Sequence, residues 1–407
     1  QPNEDPVEIS GMRLDDSIKL IKGPKGTNVI LTVKRVNGEI EDVIVERDVV
    51  VLEESYAKSA IIKKNDKKFG LIELPKFYVD FKNYGERNAA TDVKKALISF
   101  KEKFVDGLII DLRNNGGGSL KTVVDMVGYF IDKGPVVQVK SIGGRKEVLE
   151  DTDPSIIWDG PVIILVNEFS ASASEILAAA LQDYNRAIVM GSQQTYGKGT
   201  VQNVIDLNRI IAVNQYGDLG ALKVTTDKFY RINGGSTQLE GVKSDIIFPS
   251  QYGSIQIGEK DQSNPLSWDK ISPAKYAINK YNFRDTYVIE KSKARLAKNP
   301  MINLIHEQGE WIKLKQNDYN FHLNYISYIN KRDNDKKYSE RFDVLNEFES
   351  KLSFIWLEEN MNIDKSNDIL IRRDRWLKGL KKDIFLDEAV NVLNDLKKDD
   401  TKLSQLN

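Results

Sequence analysis

The sequence has 407 residues with 59 basic and 60 acidic side chains, and its formal net charge is −1. This length predicts two or three domains, and the near-neutral charge argues against a general nucleic-acid-binding protein. The apolar fraction of 41% is typical of a globular rather than a disordered chain. The longest aliphatic run, at 162–166, is too short to cross a bilayer, so we expect no integral membrane segment.

Cysteine is absent, and histidine occurs only at His306 and His322. The lack of cysteine excludes thiol nucleophiles, disulfides and thiolate metal sites, and it is compatible with an oxidising compartment. Because histidine is so scarce, hydrolytic chemistry would need a base other than imidazole or would have to use one of these two residues. No signal peptide is recognisable, and the first residue is Gln1, so we expect a processed or trimmed product.

The first fifty residues predict a helix followed by a β-hairpin. The pattern consists of Leu14, Ile18 and Ile21 at helical spacing, a helix stop at 23–26, strands at 29–34 and 43–45, and the turn residues Asn37 and Gly38. This unit is too short to close a core alone, and we expect it to be part of a domain.

From Lys68 to Ser250 the sequence predicts buried strands that alternate with helices. The predicted elements are strands at 108–110, 162–166 and 188–190, and helices at 93–104, with Thr91 as its cap, 123–127 and 176–181. This repetition predicts a sheet covered by helices, with its chemistry at the strand-to-helix turns. Beyond Ser250 the strands are predicted to stop, and apolar residues at helical spacing over 342–355 and 386–396 predict a mainly helical region.

Three polar or glycine-rich segments follow the predicted strands, at 115–118, 170–175 and 195–202. Each has an ordinary structural interpretation: a flexible turn, a capping box formed by Ser172 and Glu175, and a solvated turn lysine at Lys198. Each also has a chemical one, because glycines let a backbone N–H approach an anion and a serine at a helix start exposes its hydroxyl beside a free N–H. Taken alone, capping is the favoured interpretation of the serine.

Nucleotide and metal binding are poorly supported. A phosphate loop has four residues between its first glycine and Gly-Lys, whereas five separate Gly191 from Gly197, and Gly199 follows Lys198 where Ser or Thr is required. Asp151 and Asp153 lack the glycine and glutamate of a calcium loop. We therefore predict no cofactor and no metal.

In their combination and order, the three segments resemble the tail-specific, or C-terminal-processing, serine peptidases. The matching segments are 107–118, 170–175 and 197–202, and the likeness extends over nearly the whole chain. It implies an α+β, multidomain fold with the active site at the strand ends of an α/β core. The implied domains are a partial PDZ domain at 1–49, an S41-type peptidase core at 50–255 and a mainly helical C-terminal domain at 256–407.

The resemblance also implies a role for individual residues. Ser172 matches the nucleophile, Lys198 the general base and Gln202 the residue that orients the lysine, and the backbone N–H groups of Gly118 and Ala173 match the oxyanion hole. Two departures from the family pattern are one extra residue between Gly191 and Lys198, and Tyr196 where Phe is frequent. The carboxylate-binding loop of the PDZ domain would lie upstream of Gln1.

The implied function is that of a serine endopeptidase that cleaves proteins recognised through unstructured, apolar C-terminal tails. The expected location is periplasmic or otherwise extracytoplasmic, the expected partners are protein or peptide substrates together with an optional adaptor protein, and no nucleic acid is expected. The alternative is a catalytically silent peptide-binding scaffold with a protease-like core, and nucleotide binding is the third and weakest hypothesis.

A lysine base places a physical demand on its surroundings. Free lysine titrates near pH 10.4, so a base that works near pH 7–8 needs its pKa lowered by roughly 3 units, which burial supplies. We therefore expect Lys198 in an apolar, largely dry pocket, without a carboxylate partner and within hydrogen-bond distance of Ser172 Oγ. Gln202 suits such a pocket because its amide binds the amine without adding charge.

Overall fold

The computed structural model describes residues 6–35, 38–48, 55–81, 83–210, 217–253, 255–278, 281–357 and 367–403. The chain divides into two compact units, Gln1–Glu54 and Ser55–Asn407.

The first unit is a helix followed by an antiparallel hairpin, as the sequence predicts. Its elements are α1 (Leu14–Ile21), β1 (Asn28–Lys34) and β2 (Ile40–Glu46). The Arg47 guanidinium fastens them together, because Nε donates to the Ile21 carbonyl at 2.7 Å and Nη1 donates to the Asn28 carbonyl at 3.0 Å. Of the predicted turn residues, Asn37 lies outside the described residues and Gly38 has a φ of 91°. Membership of a PDZ domain stays a prediction.

The second unit is built on two sheets. Its strands are β3 (Lys58–Lys64), β4 (Lys67–Glu73), β5 (Leu108–Asp111), β6 (Gly134–Ser141), β7 (Lys146–Asp151), β8 (Val162–Val166), β9 (Ile188–Gly191), β10 (Thr200–Asp206), β11 (Ala221–Tyr230), β12 (Ile246–Ile247) and β13 (Ser353–Trp356). Within the described residues the larger sheet has the order β12-β9-β8-β5-β4-β3-β13, in which neighbours from β12 to β4 run parallel. The smaller sheet, β10-β11-β6-β7, is antiparallel and has β10 at one edge.

Helices between the parallel strands cover one face of the larger sheet. They are α2 (Ala89–Glu102), α3 (Leu120–Gly128) and α4 (Ala173–Asp183). The N-cap of α2 is Asn88, and Thr91 completes a capping box three residues later, so the prediction of Thr91 as the cap was wrong. Phe104 lies beyond the helix, is exposed and has a φ of 52°, so it does not belong to the buried helical face.

Helices of the C-terminal region cover the opposite face. The region contains α5 (Thr286–Lys298), α6 (Pro300–Gln316), α7 (Tyr325–Ser339), α8 (Asn367–Lys381) and α9 (Ile384–Leu403). Of these, α5, α6, α8 and α9 contribute buried side chains to the core on that face, whereas α7 buries none. Along β5, Leu108 and Ile110 face α2–α4, whereas Ile109 faces a second core that contains Leu386 and Leu393 of α9. Because every β5 residue is buried on one face or the other, the strand reads as a continuous apolar run.

One predicted helix in the C-terminal region is wrong. The apolar spacing over 342–355 predicts a helix, but the chain forms 3₁₀ turns at Glu340–Glu347 and then β13, which pairs antiparallel with β3. The β13 sequence Ser-Phe-Ile-Trp is rich in aromatic and β-branched residues, which favour strands. Pairing with the edge of β3, which is far away in the sequence, makes this segment a strand. Local periodicity cannot predict such a distant partner.

Candidate active site

Three alternate serines lie where the turn after β8 leads into α4, and their hydroxyls differ in surroundings. Ser170 and Ser174 are fully buried, and their hydroxyls donate to the carbonyls of Leu112 and Asn115, both at 2.8 Å. Ser172 is partly exposed and has φ 57° and ψ −113°, a backbone conformation that non-glycine residues rarely adopt. A strained serine at a strand-to-helix turn is the arrangement that presents a nucleophile.

The glycine-rich turn after β5 packs directly against this serine. A Cβ on Gly117 would lie 2.7 Å from Ser172 Cβ, and a Cβ on Gly118, whose φ is 148°, would lie 2.2 Å from the Phe77 carbonyl oxygen. Asn115 connects the glycine turn with the serine turn. Its side-chain oxygen accepts from the Gly117 N–H at 2.8 Å, and its backbone carbonyl accepts from the Ala171 N–H at 3.0 Å. Positions 117 and 118 therefore require glycine because neighbouring atoms leave no room for a Cβ, and not only because the turn needs a flexible backbone.

Two backbone donors at this junction are not used elsewhere. The N–H groups of Gly118 and Ala173 donate no hydrogen bond to any described residue, whereas the Gly117 N–H is occupied by Asn115. Ala173 N lies 3.1 Å from the position of a Cβ on Gly117, so the serine turn and the glycine turn are in contact there. These are the two donors that the sequence predicts for an oxyanion hole, and that role stays a prediction.

Lys198 lies on the loop that leads into β10. Its side chain is half-buried, and Nζ donates to Gln202 Oε1 at 3.3 Å. Burial lowers the pKa of the Lys198 amine, and the positive charge of Lys223 acts in the same direction. No carboxylate of the described residues lies within ion-pair distance of Nζ. The lysine is thus only half-buried, and not in the largely dry pocket that we expected from the sequence.

Ser172 and Lys198 are joined through their backbones rather than their side chains. Both residues belong to the described part of the chain, and no hydrogen bond links Ser172 Oγ to Lys198 Nζ. Their N–H groups instead donate to the same atom, Glu175 Oε2, at 2.7 and 3.0 Å. The serine turn and the lysine loop are therefore held side by side, with the amine turned toward Gln202.

Glu175 is the site residue that the sequence analysis missed. Its carboxylate is fully buried and accepts four hydrogen bonds: Ser172 N–H and Lys198 N–H to Oε2, and the Thr195 hydroxyl and Gly197 N–H to Oε1 at 2.6 and 2.8 Å. Burial raises the pKa of Glu175 to about 7, although all four hydrogen bonds act in the opposite direction. The capping-box spacing predicted the hydrogen bond between Glu175 and Ser172, but no local sequence pattern predicted the bonds between Glu175 and the lysine loop.

The other candidates do not form a site. Residues 197–199 lead into strand β10 rather than into a helix, so the helix N-terminus that a phosphate loop needs is missing there. No group of three or more His, Asp or Glu side chains within the described ranges could hold a metal ion. In the same ranges no helix combines the length and apolar character needed to cross a membrane.

A sheet with a strained serine at a helix start, next to unused backbone donors, is an arrangement typical of serine-type peptidase cores. Residues 68–248 match peptidase family S41, and residues 252–398 match the C-terminal domain of tail specific protease. These matches identify residues 68–248 as a peptidase family S41 domain.

Among its relatives, the Tail-specific protease of Haemophilus influenzae is 40% identical over 353 residues, which are 85% of this chain and 49% of that protein. A probable CtpA-like serine protease of Staphylococcus epidermidis is 33% identical over 267 residues, 63% of this chain and 49% of that protein. The chain spans about half the length of the curated relatives it matches. The photosystem II D1 C-terminal processing protease has a TM-score of 0.41 and 24% identity over 58% of this chain and 60% of that one.

Proposed function

We propose that this chain is a serine endopeptidase with a catalytic dyad of Ser172 and Lys198. The observation that carries the proposal is the contrast among the three serines: Ser172 alone is partly exposed and strained, while the other two hydroxyls are buried and bonded. The unused N–H groups of Gly118 and Ala173 lie beside it. The lowered pKa of Lys198 supplies a base without histidine.

In the proposed reaction, Ser172 Oγ attacks the scissile carbonyl carbon while its proton moves to neutral Lys198 Nζ. To accept it, the amine turns from Gln202 toward the hydroxyl. The N–H groups of Gly118 and Ala173 bind the oxyanion. The C–N bond then breaks, and the lysine ammonium returns its proton to the leaving amine. Water, deprotonated by the same amine, hydrolyses the acyl-enzyme ester and restores the serine.

The proposed substrates are proteins with unstructured, apolar C-terminal tails, which the name of the Haemophilus relative supports. We further propose that the first unit is part of a PDZ domain, that the location is extracytoplasmic, and that Gln202 orients the lysine. In such a domain, a peptide tail adds to a sheet edge and its carboxylate is held by backbone N–H groups. An adaptor protein is an optional partner.

Cleavage of an unfolded reporter protein with an apolar tail tests the dyad. We expect the wild type to cleave it, and Ser172→Ala and Lys198→Ala each to lose at least about a thousandfold in kcat. Lys243→Ala, which changes an exposed lysine of the same unit, is the matched control and should cleave normally. Binding of the reporter without cleavage by the wild type would instead support the silent scaffold. Labelling of Ser172 by a fluorophosphonate gives an independent readout of its reactivity.

A further inference from the structure

The two backbone donors proposed for the oxyanion come from different segments of the chain. Gly118 lies in the turn after β5, and Ala173 is the first residue of α4, directly after the turn that follows β8. Both N–H groups have to reach one oxygen atom, each at about 2.7–3.1 Å. The contacts that tie the two turns together therefore decide whether both donors act on the same atom.

Asn167, the first residue after β8, reaches from the serine turn to the glycine turn. Its Oδ1 accepts from the Asn114 N–H at 2.9 Å, and its Nδ2 donates to Asn114 Oδ1 at 2.8 Å. The same Oδ1 accepts from the Phe169 N–H at 3.2 Å, within its own turn. One side-chain oxygen thus receives a backbone N–H from each of the two turns.

Asn114 is where the chain bends into the glycine-rich segment. Its φ is 62°, a left-handed conformation that asparagine adopts at some cost in free energy. Because Asn167 binds both the N–H and the side chain of Asn114, it stabilises this bend. The chain then curves back toward the serine, so that a Cβ on Gly117 would lie 2.7 Å from Ser172 Cβ.

The asparagine pair ties the more exposed side of this junction. Asn114 is exposed and Asn167 is partly exposed, whereas the hydroxyls of Ser170 and Ser174 bind backbone carbonyls on the buried side. Replacement of Asn167 therefore loosens the contact between the turns and leaves the buried hydrogen bonds in place.

We propose that Asn167 is a positioning residue that sets the distance between the N–H groups of Gly118 and Ala173. The proposal rests on the proposed peptidase function and names a side chain that shapes its oxyanion site. Asn167 acts through Asn114 and the glycine turn rather than on the substrate. Without its amide the turns separate, and one donor moves out of reach of the oxyanion. Because that contact is made only in the transition state, the loss should appear in kcat and not in KM.

The first test is Asn167→Ala, with cleavage of the unfolded reporter as the readout. We expect kcat to fall about 10- to 100-fold with KM within twofold of the wild type, because small displacements of catalytic donors are costly. The matched control is Asn208→Ala. The Asn208 amide also accepts from a backbone N–H, that of Leu219 at 2.9 Å, and this variant should cleave within twofold of the wild type. An unchanged kcat in folded Asn167→Ala would overturn the proposal, as would a change confined to KM.

A double-mutant cycle tests the asparagine pair without deleting a side chain. Asn114→Asp keeps an acceptor for the Asn167 Nδ2, and in Asn167→Asp the Asn114 amide can turn to donate instead. Only the double variant places two carboxylates against each other. We expect it to lose at least fivefold more kcat than the two single losses multiplied, at pH 8.5 and low ionic strength. Multiplicative losses would show that the pair does not tie the two turns.

A peptide aldehyde gives a readout that a purely structural role would not change. Ser172 Oγ adds to the aldehyde carbon, the hydroxyl proton passes to the aldehyde oxygen, and this oxygen takes the place of the oxyanion. We expect Asn167→Ala to weaken aldehyde binding by about the factor that it takes from kcat. Undiminished aldehyde binding would remove Asn167 from the positioning of the oxyanion site.

Fluorophosphonate labelling of Ser172 distinguishes the two levels of failure. If the wild type neither cleaves the reporter nor reacts with the fluorophosphonate, the peptidase function fails and the role of Asn167 fails with it. If the wild type is active and Asn167→Ala cleaves equally well, only the role of Asn167 is refuted.

Discussion

At the scale of single residues, Glu175 determines how the site is assembled. One carboxylate receives donors from the serine turn and from the lysine loop, so it fixes the relative position of Ser172 and Lys198. A buried carboxylate with four donors is satisfied only in its ionised form, since a proton on either oxygen would displace one of them. The geometry therefore requires Glu175 to be charged, against the desolvation that raises its pKa to about 7.

Replacing Glu175 with glutamine tests this assignment. Glu175→Gln keeps one acceptor oxygen but turns the other into an amide donor, so two of the four N–H and O–H groups lose their acceptor at about 1–3 kcal/mol each. We expect a 10- to 100-fold lower kcat at pH 8.5 with the variant still folded. Glu240→Gln, a change at an exposed carboxylate, should have no effect. Normal turnover by Glu175→Gln would show that the shared oxygen does not align the dyad.

The same group gives stability and activity opposite pH dependences. Because the pKa of Glu175 rises from 4.5 to about 7 in the fold, the folded chain binds this proton more tightly than the unfolded chain. Its contribution to the free energy of unfolding is thus full below pH 4.5 and decreases between pH 4.5 and 7. Thermal melts across this range should fall less steeply with pH in Glu175→Gln than in the wild type, whereas activity of the wild type rises.

At the scale of elements, the glycine turn after β5 allows two neighbouring glycine substitutions to be compared. Gly116 and Gly118 are both exposed, but a Cβ on Gly116 meets nothing within 4 Å, whereas one on Gly118 would clash with the Phe77 carbonyl and adopt a strained φ. We expect Gly118→Ala to move the Gly118 N–H and to reduce kcat at least 100-fold, which is typical of losing an oxyanion donor. Gly116→Ala should cleave within threefold of the wild type.

The readout for this pair is kcat together with KM. A shifted oxyanion donor lowers kcat and kcat/KM alike, because the interaction is made only in the transition state. Equal activity of Gly116→Ala and Gly118→Ala would remove Gly118 from the oxyanion hole. A raised KM with unchanged kcat in Gly118→Ala would place it in substrate binding instead.

The elements that the sequence predicted well are those whose signal is local. The strands β5, β8 and β9 are short apolar runs buried on both faces, and their ends carry the predicted serine and glycine turns. By contrast, β13 exists because β3 offers it an edge, and the N-cap at Asn88 precedes the apolar pattern that defines α2. The role of Glu175 could likewise not be predicted from local signals, since its hydrogen-bond partners Thr195 and Gly197 are distant in sequence.

At the scale of the whole molecule, the C-terminal helices are integral to the second unit. α9 packs Leu393 against Gly107, where a Cβ would lie 2.9 Å from the leucine Cδ2, and β13 extends the larger sheet. The predicted boundary at 255 therefore separates segments that share one hydrophobic core. The sequence could not predict this shared core, because an apolar helix face does not indicate which surface it packs against.

A partly buried ion-pair network connects α9 with the strand end next to the glycine turn. Arg113 Nη2 donates to Asp111 Oδ2 and to Asp383 Oδ2, both at 2.5 Å, and Asp383 also caps the start of α9. Burial alone would raise the pKa of Asp383, but the charge and hydrogen bond of Arg113 outweigh it and hold this pKa below 3.8. The carboxylate therefore stabilises the fold above pH 3.8, and this contribution is lost as the pH falls below that value.

Asp383→Asn isolates the charge, because asparagine keeps an oxygen for the helix cap. We expect a loss of about 2–4 kcal/mol in the free energy of unfolding at pH 7, since the largely buried Arg113 loses one of its two carboxylate partners. Asp387→Asn, one turn along α9 and 4.0 Å from Lys64, should cost less than about 0.5 kcal/mol. Because helices and sheet share one core, the loss should lower a single cooperative transition of residues 55–407. A separate early transition, with the melting of the remainder unchanged, would show that the helical region folds independently.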